Sequence, residues 1–150
     1  MIQISHRGNT DGPIPELENS PDYLISAIQK GFDVEIDLWL IDNVIYFGHD
    51  EPKYIISPEI FYKIRDYAWF HCKNLEALNH LIKFHPTSRF FWHQEDDFTL
   101  TSNNYIWTYP NKNLSANSII VYLDKHEGIK FKVKPFAICS DYCYTISKES

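Results

Sequence analysis

The chain has 150 residues with 14 Lys+Arg against 20 Asp+Glu, a formal net charge of −6, and is 44% hydrophobic and 16% aromatic with 5 Gly and 8 Pro. That composition excludes a disordered or collagen-like chain, and the acidic balance without any Lys/Arg block excludes a protein whose main task is neutralising nucleic-acid phosphates. By surface scaling a chain this size exposes about 26,000 Å² unfolded and about 8,000 Å² folded, so a single self-sufficient domain over residues 1–150 is expected.

In chain order, short runs rich in Ile, Val, Phe and Trp predict strands near 2–5, 33–40, 44–48, 68–72, 89–93, 105–108, 118–123 and 136–139. Three helices are predicted between them. Ser20-Pro21 offers a cap and a first-turn proline, after which Tyr23, Leu24, Ala27 and Ile28 recur at helical spacing until Gly31. Ser57-Pro58-Glu59 opens a second helix running to about Tyr67. Asn74 caps a third, with Leu75, Leu78, Leu81 and Ile82 as one apolar stripe. Beyond residue 95 the helical signal fades into polar connections such as TLTSNN, PNKNLSAN and KHEGIKFKVK. The alternation of strands and helices indicates an α/β chain.

No apolar run approaches the roughly 20 residues that span a bilayer, and the opening MIQISHRGN carries no basic segment followed by a long apolar one, so a cytoplasmic location is expected. Cys72, Cys139 and Cys143 are odd in number and lack metal or redox spacing, which reads as three reduced thiols.

Four polar clusters fall where strands end. His6-Arg7-Gly8 follows the first strand. In FDVEIDLWL, alternation places Glu35, Asp37 and Trp39 on one face and the aliphatic residues on the other. Two carboxylates on one strand face repel, so an enclosed face calls for a hard divalent cation, whereas an edge strand would simply leave them wet. Gly48-His49-Asp50 ends the next apolar run, and His71-Cys72-Lys73 closes another before a helix. In FFWHQEDD, alternation separates Trp92 and Gln94 from His93 and Glu95. Trp39 and Trp92 share faces with these candidates and are candidate pocket walls.

HRGN followed by ENSPDYLISAIQKGFDVEIDLWLIDNVIYFGHD, residues 2–50, resembles the glycerophosphodiester phosphodiesterases, in the phospholipase-C-like superfamily of TIM barrels. Their pattern runs HRG, EN, a helix ending in Gly, ExD and HD. ICSDY at 138–142 resembles the family's closing strand. The resemblance implies that His6 and His49 are a general acid/base pair, that Arg7 and Lys73 bind phosphate, and that Glu35 and Asp37 hold a divalent metal ion, Mg²⁺ or Ca²⁺. It also implies a small phosphodiester of glycerol or sugar type as substrate.

One departure bears on the metal. The family carries Glu-x-Lys where this chain has His71-Cys72-Lys73, so His71 is either a substitute ligand, favouring Mn²⁺ or Zn²⁺, or a packing residue. Gln94 is a candidate phosphate contact. A non-catalytic phospholigand-binding module on the same fold is the alternative reading. A barrel of this class typically needs about 250 residues, so a compact or incomplete TIM-like (β/α) barrel is expected, with helices reduced in the C-terminal half. Its exposed strands there would need shielding, with a homo-oligomer as one source.

Overall fold

The computed structural model describes residues 1–125 and 129–149, and of residues 147–149 the backbone alone. The strands are β1 (Ile2–His6), β2 (Asp33–Ile41), β3 (Val44–Phe47), β4 (Tyr54–Ile56), β5 (Ala68–Cys72), β6 (Arg89–Phe91), β7 (Phe98–Leu100), β8 (Ile106–Thr108), β9 (Ser118–Val121) and β10 (Ala137–Ser140). The helices are α1 (Pro21–Gln29), α2 (Pro58–Ile64), α3 (Leu75–Phe84) and α4 (Cys143–Glu149). Part of the polar connection over 125–134, residues 126–128, lies outside the described residues.

All ten strands belong to one curled, mixed sheet. Its central run, β6-β5-β2-β1-β10-β9-β8, is parallel throughout. β2 is long enough to serve three neighbours: Asp33, Val34 and Glu35 pair with β1, Val34 to Leu38 with β5, and Leu38 to Ile41 antiparallel with β3. The β3–β4 hairpin hangs from it, and β7 ends the other side antiparallel to β8.

The expected TIM-like barrel is therefore wrong: the sheet is an open half-barrel. Among the described residues no ladder joins β6 to β7 or β8. β6, β7 and β8 are only three residues each. The connections between Phe91 and Ser118 contain no helix that could complete a strand-helix-strand unit. Ser102 instead ties down the free edge of β6: its backbone N–H donates to Phe90 O at 2.8 Å and its hydroxyl accepts from Phe90 N–H at 2.9 Å.

Besides a small cluster of Ile120, Ile138 and Ile146 at α4, two larger cores follow from β alternation. Val34, Ile36 and Leu38 face outward and meet Leu24 and Ala27 of α1, Phe61 and Ile64 of α2, and Ala77 and Leu81 of α3. The concave interior holds Ile4, Trp69, Phe91, Trp107, Ile119, Ala137 and Cys139. Below them Asp33 accepts from Arg89 at 2.8 Å and from Trp69 Nε1–H at 3.0 Å, with the guanidinium lying over the Trp69 ring. Such a plug leaves only the C-terminal ends of the parallel strands free for polar chemistry.

The caps partly differ from expectation. Ser57 and Asn74 accept from Ile60 and Ala77 N–H, but Ser20 makes no side-chain cap, leaving Pro21 to start α1. Asn74 also exchanges two hydrogen bonds with the Leu40 backbone, pinning α3 to the end of β2. The expected α3 stripe is corrected: Leu75 is 71% exposed and Ile82 56%, because Ala77 and Leu81 are the pair that meets the sheet. β4, β7 and α4 were not foreseen. No described helix is long and apolar enough to cross a membrane.

Cys72, Cys139 and Cys143 are free and buried, and burial pushes the Cys72 and Cys143 thiols up to about 12. Ellman's reagent at pH 8 is expected to find no reactive thiol in the native protein and three in denaturant; rapid native labelling would contradict the buried placement. Ile36→Ala should cost about 2–5 kcal/mol in urea unfolding.

Candidate active site

The site lies where β1, β2, β5 and β10 end. Glu35 and Asp37 project from β2 into the concavity, 3% and 0% exposed, confirming the enclosed face over the wet one. Isolated carboxylates there are costly, and the neighbouring residues are arranged around that cost.

Asp37 is held most tightly. Asn19, in the left-handed region at φ 63°, donates from Nδ2 to Asp37 Oδ2 at 2.9 Å and accepts the Asp37 N–H at 3.0 Å. Arg7, also left-handed at φ 57°, brings Nε to 3.1 Å from the same Oδ2 and donates from a terminal nitrogen to Glu18 at 3.2 Å. His71 Nδ1 stands 3.2 Å from Asp37 Oδ1, and Lys73 Nζ 3.8 Å from it. Burial pushes Asp37 up, but His71, Arg7 and Asn19 outweigh it and hold the carboxyl well below its usual range. Glu35 goes the other way: burial, then the charge of Asp37, raise it, against weaker opposition from His6, Arg7 and His71.

His6 is oriented from the far end of the chain. Its Nδ1 bonds Asp141 Oδ1 at 2.8 Å, and Asp141 also accepts from the buried Asn9 at 2.8 Å. The bond assigns the proton to Nδ1 and leaves Nε2 facing Glu35 Oε2 at 4.0 Å. Burial lowers the basicity of His6, but the Asp141 bond and the Glu35 charge outweigh it and raise the group above its ordinary value. Asp141 follows β10 in the ICSDY segment, so the signal available was its place after a closing strand. Glu18 and Asn19, quoted in the family pattern, likewise prove to be positioning residues.

Gly8 has to be glycine. At φ 96° a Cβ would lie 2.6 Å from Cδ1 of Tyr23, whose hydroxyl donates to Asn9.

A cavity of about 260 Å³ opens over the cluster, with His6, Arg7, Glu35, His49 and His71 on its polar side. The structure thus brings together His6, Arg7, Glu35, Asp37, His71 and Lys73. His49 and Gln94 stand at the rim: the His49 side chain is 41% exposed and bonds Asp50 at 2.7 Å, and Gln94 is exposed. Lys73 is bound at Asp37 rather than on the cavity wall. Because β6 ends at Phe91, the expected alternation past it fails, and His93 and Gln94 both line the cavity. Trp107 serves as the aromatic wall in place of Trp39, which donates to Gly48 O, and Trp92, which is exposed.

Glu35, Asp37 and His71 offer ligand atoms that all lie within 4.8 Å of one another. Glu35 Oε2 and Asp37 Oδ1 are buried without a hydrogen-bond donor. Glu18, Glu35, Asp37 and Asp141 make four carboxylates against two fixed cations, Arg7 and Lys73. With the histidines counted as neutral and the carboxylates as charged, the deficit of two equals one divalent ion, and the Glu35, Asp37 and His71 donors fit a metal.

No family model, curated protein or solved structure matches the chain. The function has to be read from the geometry itself.

Asn19→Ala removes both clamps on Asp37 and places alanine in the left-handed region, so a loss of about 2–3 kcal/mol of unfolding free energy is expected. A change under about 0.5 kcal/mol would contradict the clamp.

Proposed function

We propose that the chain is a cytoplasmic, metal-dependent phosphodiester hydrolase acting on a small phosphodiester of glycerol or sugar type. The observation that carries this reading is the convergence of His6, Arg7, Glu35, Asp37 and His71 from three strands beside one cavity, with two buried carboxylate oxygens that lack a hydrogen-bond donor. The resemblance of residues 2–50 to the phosphodiesterase pattern supports it.

Glu35, Asp37 and His71 would hold a divalent ion, which would supply Lewis acidity toward a non-bridging phosphate oxygen and a nearby hydroxyl. The remaining work falls to the chain's own groups. Arg7 is anchored through Nε and one terminal nitrogen, which leaves further N–H donors of its planar fork for the phosphate. His6, with Nδ1–H committed to Asp141, presents Nε2 as the base that takes the proton of the attacking hydroxyl, and Asp141 stabilises the imidazolium that results. His49, positioned by Asp50 at the rim, returns a proton to the leaving alkoxide. Lys73 adds positive charge beside Asp37, and Gln94 offers an uncharged contact at the mouth. At about 260 Å³ the cavity lies below the roughly 300–1,000 Å³ of drug-sized sites, which favours a small alcohol.

The test is turnover of bis-p-nitrophenyl phosphate and a panel of glycerophosphodiesters with Mg²⁺, Ca²⁺, Mn²⁺ or Zn²⁺. Metal-dependent hydrolysis abolished by EDTA is expected, with His6→Ala lowering kcat/KM by about 10²–10⁴-fold. No turnover with any ion, or undiminished turnover in His6→Ala, overturns the reading. Intact binding of a phosphodiester, insensitive to EDTA, identifies a binding module instead.

A further inference from the structure

We infer that the Glu35–Asp37–His71 site selects a nitrogen-accepting transition ion, Zn²⁺ above all, over Mg²⁺ and Ca²⁺. The inference rests on the metal site of the proposed reaction and adds the class of ion, which three features of His71 decide.

The first is its tautomer. His71 Nε2 lies 2.8 Å from the backbone carbonyl of His93. A carbonyl only accepts, so Nε2 carries a hydrogen, and Nδ1 is the nitrogen whose lone pair a metal ion would take in place of a proton. A ligating imidazole bonded through its other nitrogen to a carbonyl is the usual outer arrangement of a metal-bound histidine.

The second is its orientation. The ring stacks on Phe91 with centroids 5.1 Å apart and planes 12° from parallel, so packing and the carbonyl bond together oppose rotation away from the acids. Nδ1 consequently faces Asp37 Oδ1 at 3.2 Å and Glu35 Oε1 at 3.8 Å. Nδ1 and the two carboxylates thus converge on one spot, which a proton on Nδ1 or a bound cation in its place would occupy. Asp37 Oδ1 and the second oxygen of Glu35, Oε2, are both buried without a hydrogen-bond donor.

The third is the donor set. Ligands of a tetrahedral ion with bonds of about 2.0 Å stand about 3.3 Å apart, and Nδ1 stands 3.2 and 3.8 Å from the two carboxylates. Two carboxylates and one imidazole are three protein ligands, the number that catalytic zinc sites use with a fourth position open. Mg²⁺ and Ca²⁺ take oxygen and gain little from imidazole, which suits Zn²⁺ and its neighbours. The position at which the phosphodiesterase pattern has glutamate is thus the one that sets the ion.

Two measurements on the full chain, stripped with EDTA, test this. Calorimetry with ZnCl₂, MgCl₂ and CaCl₂ should show one Zn²⁺ per chain bound at least a hundredfold tighter than either hard ion, and His71→Glu should shrink that ratio at least tenfold. Proton NMR of the Co²⁺-loaded protein should show one paramagnetically shifted, solvent-exchangeable resonance from the His71 Nε2–H, lost in His71→Glu and kept in His80→Asn, which controls for surface imidazoles. A missing resonance, or an unchanged ratio in His71→Glu, overturns the selectivity while leaving a hard-metal site standing. Failure of every ion to bind overturns the metal site and the selectivity together.

Discussion

Two carboxylates on one buried strand face are the constraint around which this molecule is organised. Glu35 and Asp37 sit one alternation apart on β2, both almost wholly out of water, where an uncompensated charge costs several kcal/mol. Each neighbouring polar residue answers that cost: Asn19 with two hydrogen bonds, Arg7 and Lys73 with charge, His71 with a fixed imidazole. Even so, two oxygens are left without donors. A core selected for stability alone would place apolar residues here, as the outward face of the same strand does with Val34, Ile36 and Leu38. The polar inner face is better explained by what it can bind.

The rest of the fold serves to hold that face open at one end and shut at the other. The Asp33–Arg89–Trp69 plug and the stacked Phe91–Trp107 pair, centroids 4.2 Å apart, fill the concavity beneath the acids. The left-handed turn of Arg7, Gly8 and the clamp of Asn19 bring the chain after β1 back over β2, so the Arg7 guanidinium is placed by backbone geometry as well as by charge. Asp141, arriving from the far end of the sequence through the β1–β10 pairing, then fixes His6. An open sheet suffices for this, because the site draws on β1, β2, β5 and β10, all contiguous in the parallel run.

Much of this was legible in the sequence, and the rest has physical reasons for being hidden. Alternation in FDVEIDLWL put both acids on one face, and the strand ends located His6, His49 and His71, because period-two patterning is local information. The role of Asp141 was legible only as its place after the closing strand of ICSDY, because its partner His6 lies 135 residues away. β4 and β7 were missed because three-residue edge strands leave almost no pattern. The expected TIM-like barrel failed for a related reason. The resembling stretch covers only residues 2–50, and whether β6 meets β8 depends on register and connection length, which alternation does not encode. His93 and Gln94 were put on opposite faces because a strand was assumed to continue where β6 had already ended.

The central claim, that the buried pair on β2 is completed by a cation, is tested most directly by anomalous diffraction from crystals soaked in a zinc salt. The account predicts one strong peak within about 2.0–2.2 Å of oxygens of Glu35 and Asp37 and of His71 Nδ1. Diffraction showing no peak between these residues, at a concentration that saturates binding in solution, would contradict it.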